Sequence, residues 1–413
     1  MGARRLAARW LVPVEGTPIE HAALLIGPSG RIDAVGTDSN VPRPSDVPAE
    51  DLGEAVILPG LINTHTHLEL TGFAGQVQER EFASWIARLR ELKTSRTPAE
   101  FVEAALRGLQ ACWAGGVTTV ADTGDSGAAI QALAGAGGSG VAYQEVFGPH
   151  PDQAEASLAG LRERVQESRR FALDRVRIGV SPHAPYTVSG PLFVAVADWA
   201  AAEGLPLAVH VAESRAEVEL LSSGSGRFAE AWQARGIPLP APLGLTPVGW
   251  LGSHGVLTPQ TLCIHGVQVG PLDIQLLADA GAAVAVCPLS NRAHGHGGAP
   301  LSSLLGAGIR VGLGTDSEVS VGRLDLLAEA RAAADLSPLS ADALIELCTL
   351  AGARALHLDN EVGSLRKGKW GDCVVIMLKG PAQRTSPAEQ VVASSPADVM
   401  LTCLGGRDVY RRL

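Results

Sequence analysis

From about residue 57 to about 313 the chain alternates short, continuous apolar runs with amphipathic stretches of helical period. The runs are AVILPGLIN, GVTTVAD, GVAYQEVFG, VRIGVSPH, LPLAVHVAES, TLCIHGV, AAVAVCP and IRVGLGTDS. Helical stretches such as EFASWIARLRELK, AEFVEAALRGLQACW, AEASLAGLRERVQESRR and FVAVADWAAAEG lie between them. Apolar runs of strand length with no polar alternation suit a parallel sheet covered on both faces. Eight such runs, mostly each followed by a helix, predict an α/β fold, the (β/α)8 TIM barrel. Two more helices, RLDLLAEARAAADL and ADALIELCTLAGARAL, follow the eighth run. The chain ends have another texture, short strands broken by Gly and Pro. AALLIGPSGRIDAVG reads as a hairpin with GPSG as its turn. The expected organisation is a barrel over 57–357 and a small β-sandwich domain built from 1–56 and 358–413.

Catalytic groups of such a barrel come from the C-terminal ends of its strands. This sequence places ionisable residues there repeatedly. His65 and His67 follow strand 1, His183 follows strand 4, and His210 ends strand 5 with Glu213 three residues on. His265 ends strand 6 and Asp316 ends strand 8. Singly, each has a plain reading: a polar loop, a buried histidine bonded to backbone, an aspartate capping a helix. Jointly they predict one metal site. Alternate residues of a strand point to the same side, so His65 and His67 can reach one cation. His210 and Asp316 complete three nitrogens and one carboxylate oxygen. Zinc accepts that set with a water in the open position, and iron or manganese could also occupy it.

Composition narrows the function classes. Net charge is −10 and no long basic run occurs, which argues against nucleic acid as a partner. No apolar stretch approaches the ~20 residues a membrane span needs. MGARRLAARWLVPVEG fits neither a signal peptide nor an anchor. The six cysteines form no CxxC pair, as expected of reduced thiols in a cytoplasmic protein. The expected partner is a small-molecule substrate, with a homodimer as the default assembly.

The segments PGLINTHTHLE, SPHAPYTVS, VHVAES, CIHGV, CPLSN and GLGTDS, in this order, closely resemble the amidohydrolase superfamily. They are most similar to its branch of cytosine, guanine, S-adenosylhomocysteine and aminodeoxyfutalosine deaminases and triazine hydrolases. The resemblance runs through nearly the whole chain, to GSLRKGKWGD. It implies that His65, His67, His210 and Asp316 hold one divalent metal, that Glu213 shuttles protons, and that His265 assists at the attacked carbon. Asp316 would take the first proton from water, and Glu213 would be poised to exchange protons near neutral pH. Many relatives bridge two metals with a carboxylated lysine at the end of strand 4. This chain has no lysine between residues 94 and 366, which leaves Glu145 as the one obvious bridge and favours a single metal.

HTHLEL is a form associated with aminodeoxyfutalosine deaminases of the menaquinone route. The expected reaction is therefore hydrolytic removal of an exocyclic amine from a purine-type nucleoside, 6-amino-6-deoxyfutalosine first. Adenosine or S-adenosylhomocysteine, guanine or cytosine, and triazines or cyclic amides are the alternatives. His183, Trp85 and Asn291 are expected to contact substrate. So is Glu69, which lies too far along to join the same metal and could accept hydrogen bonds from ribose hydroxyls or an amine. Leu289 stands where relatives often have Arg in CPRSN, and His294 and His296 are expected on a loop over the pocket.

Overall fold

The computed structural model describes residues 3–79, 81–379 and 385–412. Eight parallel strands form the barrel: β1 Leu61–Thr66, β2 Val117–Gly124, β3 Gly140–Val146, β4 Val176–Pro182, β5 Leu207–Val211, β6 Thr261–His265, β7 Ala283–Val286 and β8 Arg310–Leu313. They pair in chain order and in parallel throughout, as eight buried apolar runs separated by helices require. Helices such as Pro98–Ala114 and Gly190–Glu203 cover the outside. The first is fixed by a Thr97–Glu100 capping box with Pro98 at its first position. Among the described residues no helix is long and apolar enough to cross a membrane.

The two chain ends build a second, mixed sheet of eight strands, in which Ala55–Pro59 lies between Arg4–Leu11 and Cys373–Met377. The AALLIGPSGRIDAVG hairpin is present, as Ile19–Ile26 and Ile32–Thr37. Two readings of the sequence need correction. AVILPGLIN is two strands, not one. Its first half belongs to the end sheet, and the chain passes into the barrel at Gly60, where a Cβ would lie 2.2 Å from the Thr118 side chain. Both halves are fully buried, so apolarity alone carries no mark of the crossing. Likewise ADALIELCTLAGARAL is two helices, Ala341–Leu347 and Leu350–Ala355. The Cys348 carbonyl between them accepts a hydrogen bond from Ile62 N at 2.8 Å.

The barrel closes between β1 and β8 without a regular ladder. His65 O accepts from both Thr315 N and Asp316 N at 3.0 Å. Asn63 adds a side-chain clasp, Nδ2 donating to Thr315 Oγ1 at 2.8 Å and Oδ1 accepting from Thr315 N at 3.0 Å. The approach is close enough to require glycine: a Cβ on Gly314 would meet the backbone N and Cβ of His65 at 2.8 Å. Gly314→Ala must therefore push the seam apart, and we expect a loss of about 2–4 kcal/mol in urea unfolding, in the range of a sterically forced core change. A loss under ~0.5 kcal/mol would show that the seam yields freely.

Candidate metal centre and its cavity

The seam delivers His65, His67 and Asp316 to the C-terminal rim, and β5 adds His210 beside them. His65 Nε2 and His67 Nε2 lie 3.7 Å and 3.6 Å from Asp316 Oδ1. His210 Nε2 is 3.4 Å from His67 Nε2. Backbone carbonyls fix which nitrogen of each ring carries hydrogen. His67 Nδ1 faces Thr123 O at 2.7 Å, and His210 Nδ1 faces His183 O at 3.1 Å. A carbonyl only accepts, so both Nδ1 atoms donate and both Nε2 atoms turn lone pairs toward each other. His65 is completely buried, and neither of its ring nitrogens has a hydrogen-bond partner. Converging lone pairs, an orphaned imidazole and a carboxylate form a donor set that a single divalent cation satisfies. The residues present fit the metal. His65, His67 and Asp316 meet as one candidate cluster, and His65, His210 and His265 as an overlapping one.

Charge and strain follow the same geometry. Burial holds His65, His67 and His210 below the ordinary histidine range, in the neutral form that binds metal. For Asp316, burial would raise the carboxyl, but His65, His67 and His265 pull it well below the usual carboxylate range. Of the six non-glycine residues with left-handed backbone among those described, three stand at these strand ends: Ala212, His265 and Asp316, with φ of 53°, 75° and 58°. Left-handed geometry at such residues costs on the order of 1–3 kcal/mol each and persists only where surrounding bonds impose it. Glu217, fully buried, imposes it at Ala212, its two oxygens accepting from the backbone N of Ala212 and of Glu213 at 2.9 Å.

Glu213 stands beside the cluster. Its Oε1 is 3.6 Å from His265 Nε2 and 3.5 Å from His296 Nε2. Burial would raise this carboxyl, yet His265 and His296 hold it at about 2, so it is ionised at neutral pH. That differs from the expectation of a group poised near neutrality, because two imidazoles crowd one buried carboxylate. His265 Nδ1 is held by Asn291 Oδ1 at 3.0 Å.

A cavity of about 600 Å³ opens above the cluster. His67, His210, Glu213, His265 and Asp316 lie on its wall, with His183, Trp85 and His294. Trp85 sits on the helix Phe82–Lys93, stacked on Phe82 and edge-on to His294. His183 packs against the His210 ring at 4.6 Å and bonds Thr187 through Nδ1. Two residues expected to touch substrate do not reach this wall. Asn291 is fully buried and serves His265. Glu69 is 1% exposed, with its oxygens taken by Lys93 Nζ at 2.6 Å and by Ser126. Sequence reading missed Lys93, Asp125 and Phe147, which do line the cavity. Of these only Lys93 carries a sequence signal, as the one lysine before residue 367.

The amidohydrolase family model matches residues 56–407. A 5-methylthioadenosine/S-adenosylhomocysteine deaminase of Nitratidesulfovibrio vulgaris is 31% identical over 95% of this chain and 88% of its own length. An aminodeoxyfutalosine deaminase of Deinococcus radiodurans is 33% identical over 79% of each. An adenosine deaminase of Xanthomonas campestris, solved with bound zinc, superposes with a TM-score of 0.84 at 23% identity, covering 98% of this chain and 92% of that one.

If the four donors hold one cation, His67→Ala should reduce bound divalent metal from about one per chain to under ~0.2 by elemental analysis. Chelation of the unmutated protein should lower its Tm by several degrees, as loss of a ligand specific to the native state does. Unchanged metal content in the variant would move the site elsewhere.

Proposed function

Because the chain belongs to the amidohydrolase family, we propose that it is a hydrolytic deaminase that removes the exocyclic amine of a purine-type nucleoside and releases ammonia. The observation that carries this reading is the convergence of His65, His67, His210 and Asp316 with Glu213 and His265 on one cavity. His65, His67, His210 and Asp316 hold a divalent ion, zinc by preference. When bound, such an ion supplies Lewis acidity and brings the pKa of a water at it to near ~7. Asp316 accepts the first proton from the attacking water. Glu213, ionised at rest, takes up a proton from solvent as substrate binds, delivers it to the ring nitrogen beside the attacked carbon, and recovers one from the new C–OH as the carbonyl forms. His265, steadied by Asn291, stabilises the oxygen that gains charge as the carbon becomes tetrahedral. Proton transfer to the amine completes the exchange: water enters, ammonia leaves, and a carbonyl replaces the C–NH2 group.

The size of the cavity and its wall of Phe82, Trp85, Phe147 and Tyr186 suit a flat base with a bulky substituent. Among nucleosides, 6-amino-6-deoxyfutalosine is our first choice, supported by the Deinococcus relative. 5'-Methylthioadenosine and S-adenosylhomocysteine come next, supported by the Nitratidesulfovibrio relative. A cytoplasmic location belongs to the same reading, supported by six buried, unpaired thiols.

Ammonia release from metal-loaded protein, measured across aminodeoxyfutalosine, methylthioadenosine, adenosine, guanine and cytosine, tests the reaction. We expect release from at least one nucleoside, and hydantoin-type ring opening with none of these would overturn the proposal. Glu213→Gln should keep its metal and lose about 10²- to 10⁴-fold in kcat. Near-normal turnover with metal intact would remove Glu213 from proton transfer.

A further inference from the structure

Glu69, which does not reach the cavity, organises two residues that do. One of its oxygens takes Lys93 Nζ at 2.6 Å. The other takes the backbone N and hydroxyl of Ser126, the residue next to Asp125. Lys93 in turn donates to Asp125 Oδ1. A single buried carboxylate thus fixes an ammonium and the loop that presents a second carboxylate. The arrangement has no slack at Gly124, where a Cβ would fall 2.7 Å from Glu69 Oε2.

Lys93 and Asp125 both line the cavity that holds His67 and Glu213. An ammonium has three N–H donors. Two are spent on Glu69 and Asp125, and the third has no partner among the described residues. Asp125 Oδ2 likewise receives no hydrogen bond among them, and its side chain is 39% exposed. Of the other polar groups on this wall, Arg90 makes no hydrogen bond among the described residues, and two are committed. Arg96 gives its two Nη atoms to the carbonyls of Glu69 and Thr71, and the Thr94 hydroxyl donates to Glu91 O. The wall therefore offers one free donor next to one free acceptor, on a rigid pair.

We propose that Asp125 and Lys93 form a recognition pair for a neutral vicinal diol, the 2',3'-hydroxyls of a ribose, with Glu69 as their positioning residue. This rests on the nucleoside reading above. Each hydroxyl both donates and accepts. One donates to Asp125 Oδ2, and a hydroxyl oxygen accepts from Lys93 Nζ. The sequence expectation of an acidic ribose contact is thereby moved from Glu69 to Asp125, one layer forward.

The test compares kcat/KM for adenosine, 2'-deoxyadenosine and 3'-deoxyadenosine on the metal-loaded protein and on Asp125→Ala. A ratio of substrates is independent of how much of the variant is folded. The unmutated protein should favour adenosine over each deoxy form by about 10- to 100-fold, the range for a lost hydrogen bond to a charged group. Asp125→Ala should bring that ratio within about 3-fold of unity, with deoxy substrates little affected. Where the variant turns over too slowly, calorimetric binding of inosine against its 2'- and 3'-deoxy forms reads the same ratio. A preference retained in the variant, or absent from the unmutated protein, overturns the diol pair while leaving the deaminase reading intact. Ammonia release by the unmutated protein from no nucleoside overturns both.

Discussion

The seam between β1 and β8 is the contact on which the rest of this molecule depends. A parallel barrel of eight strands has one place where the last strand must find the first. Here the main-chain junction centres on one carbonyl, His65 O, shared by the amides of Thr315 and Asp316, with side-chain bonds from Asn63 and Thr66 beside it. The residues that close the fold are two of the four that converge on the proposed cation. A change that opens the barrel therefore also spreads the donors, because His65 and Asp316 belong to both. Fold closure and ligand geometry are thus one energetic unit, placed where barrels of this class carry their chemistry.

The loops around the seam are held by buried acids facing backbone amides. Glu217 grips the turn that carries Glu213, and Glu329 accepts from Leu289 N at the start of the short helix that carries Ser290 and Asn291. Ser290 bonds Asp316, and Asn291 bonds His265. Burial pushes Glu217 up to about 8. Glu217 and Glu329 make no hydrogen bond to the cluster, yet they hold the segments that carry its side chains and their partners.

The eight runs and the histidines ending them were legible in the sequence because both signals are periodic and local. A buried parallel strand must be apolar along its length, and a polar residue at its end stands out. What escaped was whatever depends on contacts between distant segments. The crossing at Gly60 was hidden because the residues on both sides are equally buried, in two different sheets. Glu69 was read as facing the ligand because its spacing continues that of His65 and His67. Instead the chain leaves the strand for a single 3-10 turn at Leu68–Leu70, whose first amide is held by Asp122, and the side chain swings inward to Lys93. Asn291 and Lys93 gained their roles from partners 26 and 24 residues away, spacings that no local pattern encodes.

The hydrogen bonds that orient His67 and His210 end on the main-chain oxygens of Thr123 and His183. Every amino acid brings the same carbonyl. These carbonyl contacts therefore survive a change of side chain at 123 or 183, although Thr123 Oγ1 also lies 3.2 Å from His67 Nδ1 and the His183 ring packs on that of His210. His183 lies on the cavity wall, so a change there can alter the molecule being bound while the main-chain bond to His210 is kept. A lineage built on this scaffold can explore new substrates without first losing its metal.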